Sequence, residues 1–449
     1  MSTTIFMASA FTVFAGTAKS GNSKNEVKHP AWSYNQTIYE VNLRQYTQGG
    51  TFNEFAERLP ELKKLGVGII WLMPINPIGV KNRKGTLGSP YSVKDYTAVN
   101  PRLGTLKDFK TLVQKIHSLG MHVIIDWVAD HTSWDNKLTV EHPDWYKKDS
   151  SGNFVPPVKD WSDVIALDYN NKDLRRYMID AMKFWVKECG IDGFRCDVAD
   201  MVPLSFWKEA RPALDSLKPV FMLAEAEKPY MHQAFDMTYS WGLYKLMNKV
   251  ATGEKNSSDI VKYLKKDIEE YPPDAFRMLF TTNHDENSWN GTVFERLGDA
   301  APAFGALTVA LPGMPLLYGG QEAGLNKRLK FFEKDPIDWK KSKFRGLYTK
   351  LFNLKLNSKA LLSGEEGGKM IYLSKPGDKN LLAFVRQKDD DKIIFVFNLS
   401  NKTLKAEVKS KLLQGNYSDL FGGREVSLGD SHVFDLKPWT FKFLVLKTK

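Results

Sequence analysis

Four apolar runs in this chain end in a carboxylate, or in a histidine beside one. HVIIDWVADH carries Asp126 and, just beyond it, Asp130 and His131. GFRCDV carries Arg195 and Asp197, VFMLAE ends on Glu225, and RMLFTTNHD ends on His284 and Asp285. Short apolar runs bounded by polar residues suit strands buried on both faces of a parallel sheet. Ionised groups avoid such surroundings unless they are paired. One acid at the end of such a run is as well explained by a rim salt bridge. Four in succession point to a single rim, where a (β/α)8 barrel keeps its active site.

Acids so placed can do a definite chemistry. Cleaving a glycosidic bond with retention needs a carboxylate nucleophile and a carboxylic acid proton donor about 5–5.5 Å apart. Neighbouring strands lie about 4.7–4.9 Å apart, so Asp197 and Glu225, on consecutive strands, meet that spacing. Arg195 precedes Asp197 by two residues and shares its strand face. A guanidinium there favours an ionised, attacking carboxylate. Glu225 follows Phe-Met-Leu-Ala, and apolar surroundings raise a carboxyl's pKa as an acid/base requires.

Strand and helix signals alternate from about residue 37 to 361, which predicts α/β architecture. Strands are expected at 37–47, in VGIIWLMP, HVIIDWVA and GFRCDV, at 220–225, in DMTYSW, at 277–282 and in PLLYGG. Amphipathic helices are expected between them, with a closing helix from Lys341 to Leu361. Residues 132–172 break this rhythm with three tryptophans, a Pro pair and an SSGN turn. A loop this long is functional or a small inserted domain. From about residue 366 to 449 the runs LLAFVRQ, KIIFVFNLS, TLKAEVK and FKFLVLK alternate as strands, which predicts an all-β sandwich.

Composition narrows the alternatives. With 449 residues, 43% hydrophobic and 26% charged, the chain fits one large barrel plus a smaller domain. No apolar stretch reaches the roughly 18–20 residues of a membrane span. The net charge of +11 is scattered, with no basic stripe, so no nucleic-acid partner is expected. Cys189 and Cys196 read as free, packed thiols. Residues 1–18 are apolar and nearly uncharged, with Gly16-Thr17-Ala18 as a cleavage candidate. They read as a signal peptide, although no Lys or Arg precedes the apolar part; the expected location is secreted or periplasmic, otherwise cytoplasmic.

GIIWLMPINP, SPYSVKDY, DWVADH, GFRCDV, MLAEAE, TTNHDEN and GMPLLYGGQE occur in that order. On these segments the chain resembles the α-amylase family, glycoside hydrolase family 13, from about residue 31 to the C-terminus. The resemblance implies a barrel over 31–365, a domain B at 132–172 and a β-sandwich domain C at 366–449. It implies Asp197 as nucleophile, Glu225 as general acid/base and Asp285 as transition-state stabiliser. Tyr91, His131, Arg195 and His284 would contact the reacting sugar or the nucleophile, with Asp95 in the same loop as Tyr91. Asp130 stands where the family usually has Asn, and with Asp168 it would offer calcium two carboxylates. Asp200-Met201 stand where typical α-amylases carry Lys-His.

The expected substrate is an α-linked glucan oligo- or polysaccharide, and the leading expectation is endo-action on α-1,4 bonds. An exo-acting α-glucosidase or a transglycosylase is the alternative within the class. A glucan-binding protein without catalysis is the alternative outside it, and the intact acids count against it. Trp134, Trp145, Trp161 and Trp289 are candidate sugar-stacking rings. Asn283 and Gln321-Glu322 are either substrate contacts or loop braces.

Overall fold

The computed structural model describes residues 27–447, so the expected export segment at 1–18 lies outside the described residues. Eight parallel strands close into a barrel in chain order. They are β1 (Ile38–Val41), β2 (Ile69–Leu72), β3 (His122–Trp127), β4 (Gly193–Cys196), β5 (Phe221–Ala224), β6 (Met237–Tyr239), β7 (Phe276–Leu279) and β8 (Met314–Tyr318). All eight expected strands form. Nearly every strand residue is buried, because one face fills the barrel and the other packs under helices. Ile38, Trp71, Ile124, Phe221, Leu223, Met278 and Leu316 fill the interior.

Short hydrogen-bonded signals set the helix ends. Thr105 forms a capping box with Asp108 at the start of helix Leu106–Ser118, which satisfies two amides that lack helical partners. Gly190, at φ 75°, closes helix Lys172–Cys189, a left-handed position that glycine takes without a Cβ clash. Cys189 and Cys196 are buried free thiols.

Three details differ from the sequence reading. The first strand stops at Val41, and Leu43–Tyr46 turns into a short helix whose Gln45 amide donates to the carbonyls of Lys330 and Glu333. Helix Trp241–Ala251 follows β6 almost directly, so no polar linker marks its start. The helix expected after β1 is two pieces, Phe52–Ala56 and Leu59–Leu65, with Pro60 in the first turn of the second.

The segment after β3 contributes the antiparallel pair His131–Ser133 and Val164–Ala166 and little other regular structure. After the closing helix Lys343–Asn357 the chain builds a six-stranded antiparallel sheet and a separate two-stranded pair. Four of these strands coincide with the expected runs. The others, such as Lys369–Tyr372 and Glu425–Leu428, are short and half exposed, which weakens their hydrophobic signal. Ala406, Val408, Phe434 and Leu436 of the pair share a core with Val385, Ile394 and Leu444 of the larger sheet. The sheet's opposite face, with Phe384, Phe395 and Phe443, joins the same core as Ala310, Leu311 and Leu351 beneath the barrel.

Candidate active site

One buried guanidinium organises the C-terminal rim of the barrel. Arg195 Nη1 donates to Asp126 Oδ1 and to Asp197 Oδ1, both at 2.8 Å, and Nε donates to the Tyr239 hydroxyl at 3.2 Å. Nη2 lies 2.7 Å from Glu225 Oε1 but outside hydrogen-bond geometry, so that contact is an ion pair alone. β3, β4, β5 and β6 thus meet on one cation. Sharing it holds the carboxylates of Asp197 and Glu225 close together.

Each acid has its own surroundings. Asp126 is fully buried; burial lifts its carboxyl to about 6 despite the pull of Arg195. Glu225, with a side chain 13% exposed, is pushed up to about 8. Burial is the main cause, opposed by Arg195 and reinforced by Asp197 and Asp285. Its Oε2 accepts from the Val198 amide at 2.8 Å. Val198 sits at φ 36°, a region a β-branched residue avoids, and backbone strain of this kind gathers at functional sites.

A second chain of contacts approaches from β7 and the loop after β2. The Tyr91 hydroxyl donates to Asp126 Oδ2 at 3.0 Å and meets His284 Nε2 at 2.8 Å. The Tyr91 ring stacks near-parallel to His284, with centroids 5.4 Å apart. His284 Nδ1 is hydrogen-bonded to Glu40 on β1. Burial alone would lower the His284 pKa, but Asp285 and Glu40 outweigh it and raise it to about 9. Asp285 Oδ2 lies 3.4 Å from His284 Nε2, and its side chain is 38% exposed to the cleft.

These groups open on a cavity of about 780 Å³ lined by Tyr91, His131, Asp197, Glu225, His284 and Asp285. Trp161 and Trp289 line it as well. Trp145 is buried and stacked on His142, while Trp134 donates to the Ser162 carbonyl, so neither faces the cavity. Asp95 stands apart: its Oδ1 accepts from the amide and hydroxyl of Thr97. Asn283 Oδ1 caps Glu286, Gln321 bonds Thr281 and the Tyr318 amide, and Glu322 accepts from Tyr39. All three brace loops.

The two carboxylates expected to hold calcium are engaged locally. Asp130 Oδ2 lies 3.4 Å from His131 Nδ1, and Asp168 Oδ1 accepts from the amide and side chain of Asn170. Among the described residues no group of three or more His, Cys, Asp or Glu side chains converges as for a metal. These side chains alone do not make a calcium cage, which takes six to eight oxygens.

Sequence reasoning placed Asp126 on the rim without a role of its own and passed over Glu40, Lys84, Phe331 and Phe332. Glu40 had a signal: a carboxylate inside the apolar run IYEV must find a buried partner. Lys84, Phe331 and Phe332 lie in irregular loops without periodicity, and only the folded chain brings them to the cavity.

A parallel barrel whose rim gathers acids around one guanidinium, beside a cavity with aromatic walls, has the layout of a barrel enzyme. Residues 13–345 match the family model described as "Alpha amylase, catalytic domain", and residues 372–443 match "Maltogenic Amylase, C-terminal domain". The chain therefore belongs to the α-amylase family and is a glycoside hydrolase of that family. It superposes on a maltogenic α-amylase of Thermotoga neapolitana with a TM-score of 0.85 and 32% identity, covering 92% of this chain and 99% of that one. It is 27% identical to an α-amylase of Haloarcula japonica over 83% of this chain, and spans 56% of that protein's length. It is also 27% identical to an α-1,4-glucan:maltose-1-phosphate maltosyltransferase of Rhodospirillum rubrum, over 60% of this chain and 42% of that protein. Family membership implies a glucan-type substrate. None of the described helices is long and apolar enough to cross a membrane.

Proposed function

We propose that the chain is a retaining, exo-acting enzyme of short α-1,4-glucans, able to transfer glycosyl groups as well as hydrolyse them. The observation that carries this is the cavity. Its volume of about 780 Å³ lies within the roughly 300–1,000 Å³ of a small-molecule pocket. The maltogenic and maltosyl-transferring names of two relatives support this reading over the endo-action that the sequence first suggested.

In this mechanism Glu225 gives its proton to the glycosidic oxygen as the bond from C1 breaks. Asp197, hydrogen-bonded to Arg195, attacks C1 from the opposite face and forms a glycosyl ester. The leaving sugar departs neutral. Glu225, now a carboxylate, takes a proton from water or from a sugar hydroxyl, whose oxygen attacks C1 and frees Asp197. Inversion at each step gives net retention. Asp285 and His284 bind the ring hydroxyls, the Asp285 carboxylate opposes the positive charge developing at C1, His131 holds the other edge, and Tyr91 stacks beneath the ring.

Time-resolved product analysis on maltoheptaose tests the reading. Glucose or maltose should appear from the first turnovers, with transfer products at high substrate concentration. Maltotriose with maltotetraose as the first product pair would return the reading to endo-action, whereas maltose with maltopentaose would not.

Two further expectations belong to this reading. Calcium held by Asp130 and Asp168 with backbone carbonyls and water predicts a melting temperature lowered by EDTA and restored by calcium; an unchanged curve removes that site. Export through residues 1–18 predicts a mature N-terminus just beyond Ala18, and N-terminal sequencing of protein recovered outside the cytoplasm would show its absence.

A further inference from the structure

Three loops at the rim are tied into one wall. Lys84, in the loop after β2, donates to the Asp160 carbonyl at 2.6 Å and pairs with Asp163 Oδ1 at 3.2 Å; both partners belong to the segment inserted after β3. Three residues on, the Leu87 amide donates to the Phe332 carbonyl at 3.0 Å. The Thr86 amide donates to Glu333 Oε1 at 2.9 Å, so the same loop is fastened to the one after β8. From below, Arg44 Nη1 reaches the carbonyls of Gly88 and Phe331. Lys84, Asp160, Asp163, Phe331 and Phe332 all line the catalytic cavity.

The position of this wall matters chemically. β8, β1, β2 and β3 are neighbours around the barrel, so the wall follows that arc; its β1–β2 middle lies across the cavity from Glu225 at the end of β5, and its β3 end adjoins β4 and Asp197. A proton donor sits beside the bond it breaks, and the leaving group departs on the Glu225 side. The glycone therefore points toward the wall. Lys84–Asp163 is the ionic tie between loop and insert that lines the cavity; Lys94–Asp135, at 3.0 Å, joins the same two segments outside it. Asp163 is 7% exposed at its side chain and Lys84 32%. Removing Lys84 leaves a mostly buried carboxylate without that cation, which favours local opening of the wall at the cavity, while Lys94–Asp135 keeps the rest of the two segments together.

We propose that Lys84 is a specificity-determining residue: its bridge to Asp160 and Asp163 shuts the glycone end of the cavity and confines cleavage to chain ends. This rests on the exo-acting reading of the same site. A lysine that merely contacted sugar hydroxyls would change affinity, but not which bond is cut.

The discriminating probe is a pair of maltoheptaosides, one free and one blocked at its non-reducing end. Wild type should cut the free substrate and spare the blocked one. Lys84→Ala should raise the blocked-to-free ratio of kcat/KM by roughly tenfold or more, with longer first products from the free substrate. Asp163→Asn, which removes the charge and keeps the shape, should shift the ratio the same way. The exchanged pair K84D/D163K should restore discrimination. If wild type discriminates and both single variants discriminate equally well, Lys84 has no such role, and exo-action stands. If wild type itself cuts the blocked substrate internally, exo-action fails, and the closed end fails with it.

Discussion

Among the described residues two arginines lie fully inside the protein, Arg195 and Arg386, and they are buried in opposite company. Arg195 is ringed by the carboxylates of Asp126, Asp197 and Glu225. Although burial opposes its charge, Asp126 and Glu225 raise its pKa well above the ordinary value. Arg386, on strand Leu381–Lys388, donates instead to the carbonyls of Gly368, Ala310, Leu311 and Leu362. Burial pushes its pKa down to about 9, with only Asp391 acting against it. Lys355 lies nearby and donates to the carbonyls of Gly313 and Leu361. Carbonyl dipoles satisfy a cation's N–H groups while leaving no reactive partner behind, and such a cluster joins the barrel to its C-terminal sheet. Surplus carboxylates around a cation create acids with shifted proton affinity. The first arrangement fastens, and the second can react.

The contrast can be broken from either side. Arg195→Met should lower kcat/KM on maltooligosaccharides by roughly 10³-fold or more, the scale for losing a preorganised charge. It should also destabilise the fold by about 3–5 kcal/mol, since three buried acids lose their cation. Steady-state kinetics and urea unfolding of the same preparation check both numbers. A variant with near wild-type kcat/KM would remove Arg195 from the centre of the account.

A pH profile sharpens the same contrast without mutation. Glu225 must carry its proton to act as acid, and its pKa is raised to about 8. The protonated fraction is full well below that pH and falls about tenfold per unit above it. The alkaline limb of kcat/KM should therefore bend near pH 8, and Glu225→Gln should erase the bend together with most activity on starch. A limb that began near pH 5 would mean that Glu225 is not kept protonated.

Arg386→Met should show the smallest catalytic effect. Leaving its carbonyl partners unsatisfied costs about 1–3 kcal/mol, read as a lower urea midpoint. Turnover per folded molecule should stay within about twofold of wild type, because Arg386 makes none of the contacts that define the site. A large fall in kcat would show that the junction and the rim are mechanically linked.

The rim and the junction also differed in how far the sequence exposed them. Asp197, Glu225 and Asp285 were legible because an acid at the end of an apolar strand is a local contradiction that few arrangements resolve. The barrel was legible for the same reason, since strands buried on both faces read as unbroken apolar runs. Glu40 and Asp126 stood in those runs, but their partners, His284 just beyond β7 and Arg195 on β4, lie far away in sequence. Asp95 shows the reverse. It shares a loop with Tyr91, yet the turn at Thr97 takes its carboxylate. Arg386 sits in LLAFVRQ, a strand seen in outline, but only tertiary packing brings four carbonyls to it. The half-exposed edge strands carried too little alternation to be read.

The division of labour between Asp197 and Glu225 is the central claim, and covalent labelling tests it most directly. α-Glucosyl fluoride carries a leaving group that departs without a proton, so the first step needs the nucleophile and not the acid. Glu225→Gln treated with the fluoride should accumulate a glycosyl-enzyme, and peptide mass spectrometry should place the added hexose on Asp197. Asp197→Ala should take no label. A hexose mapped to any other residue, or no adduct in Glu225→Gln, would contradict the assignment of these two acids.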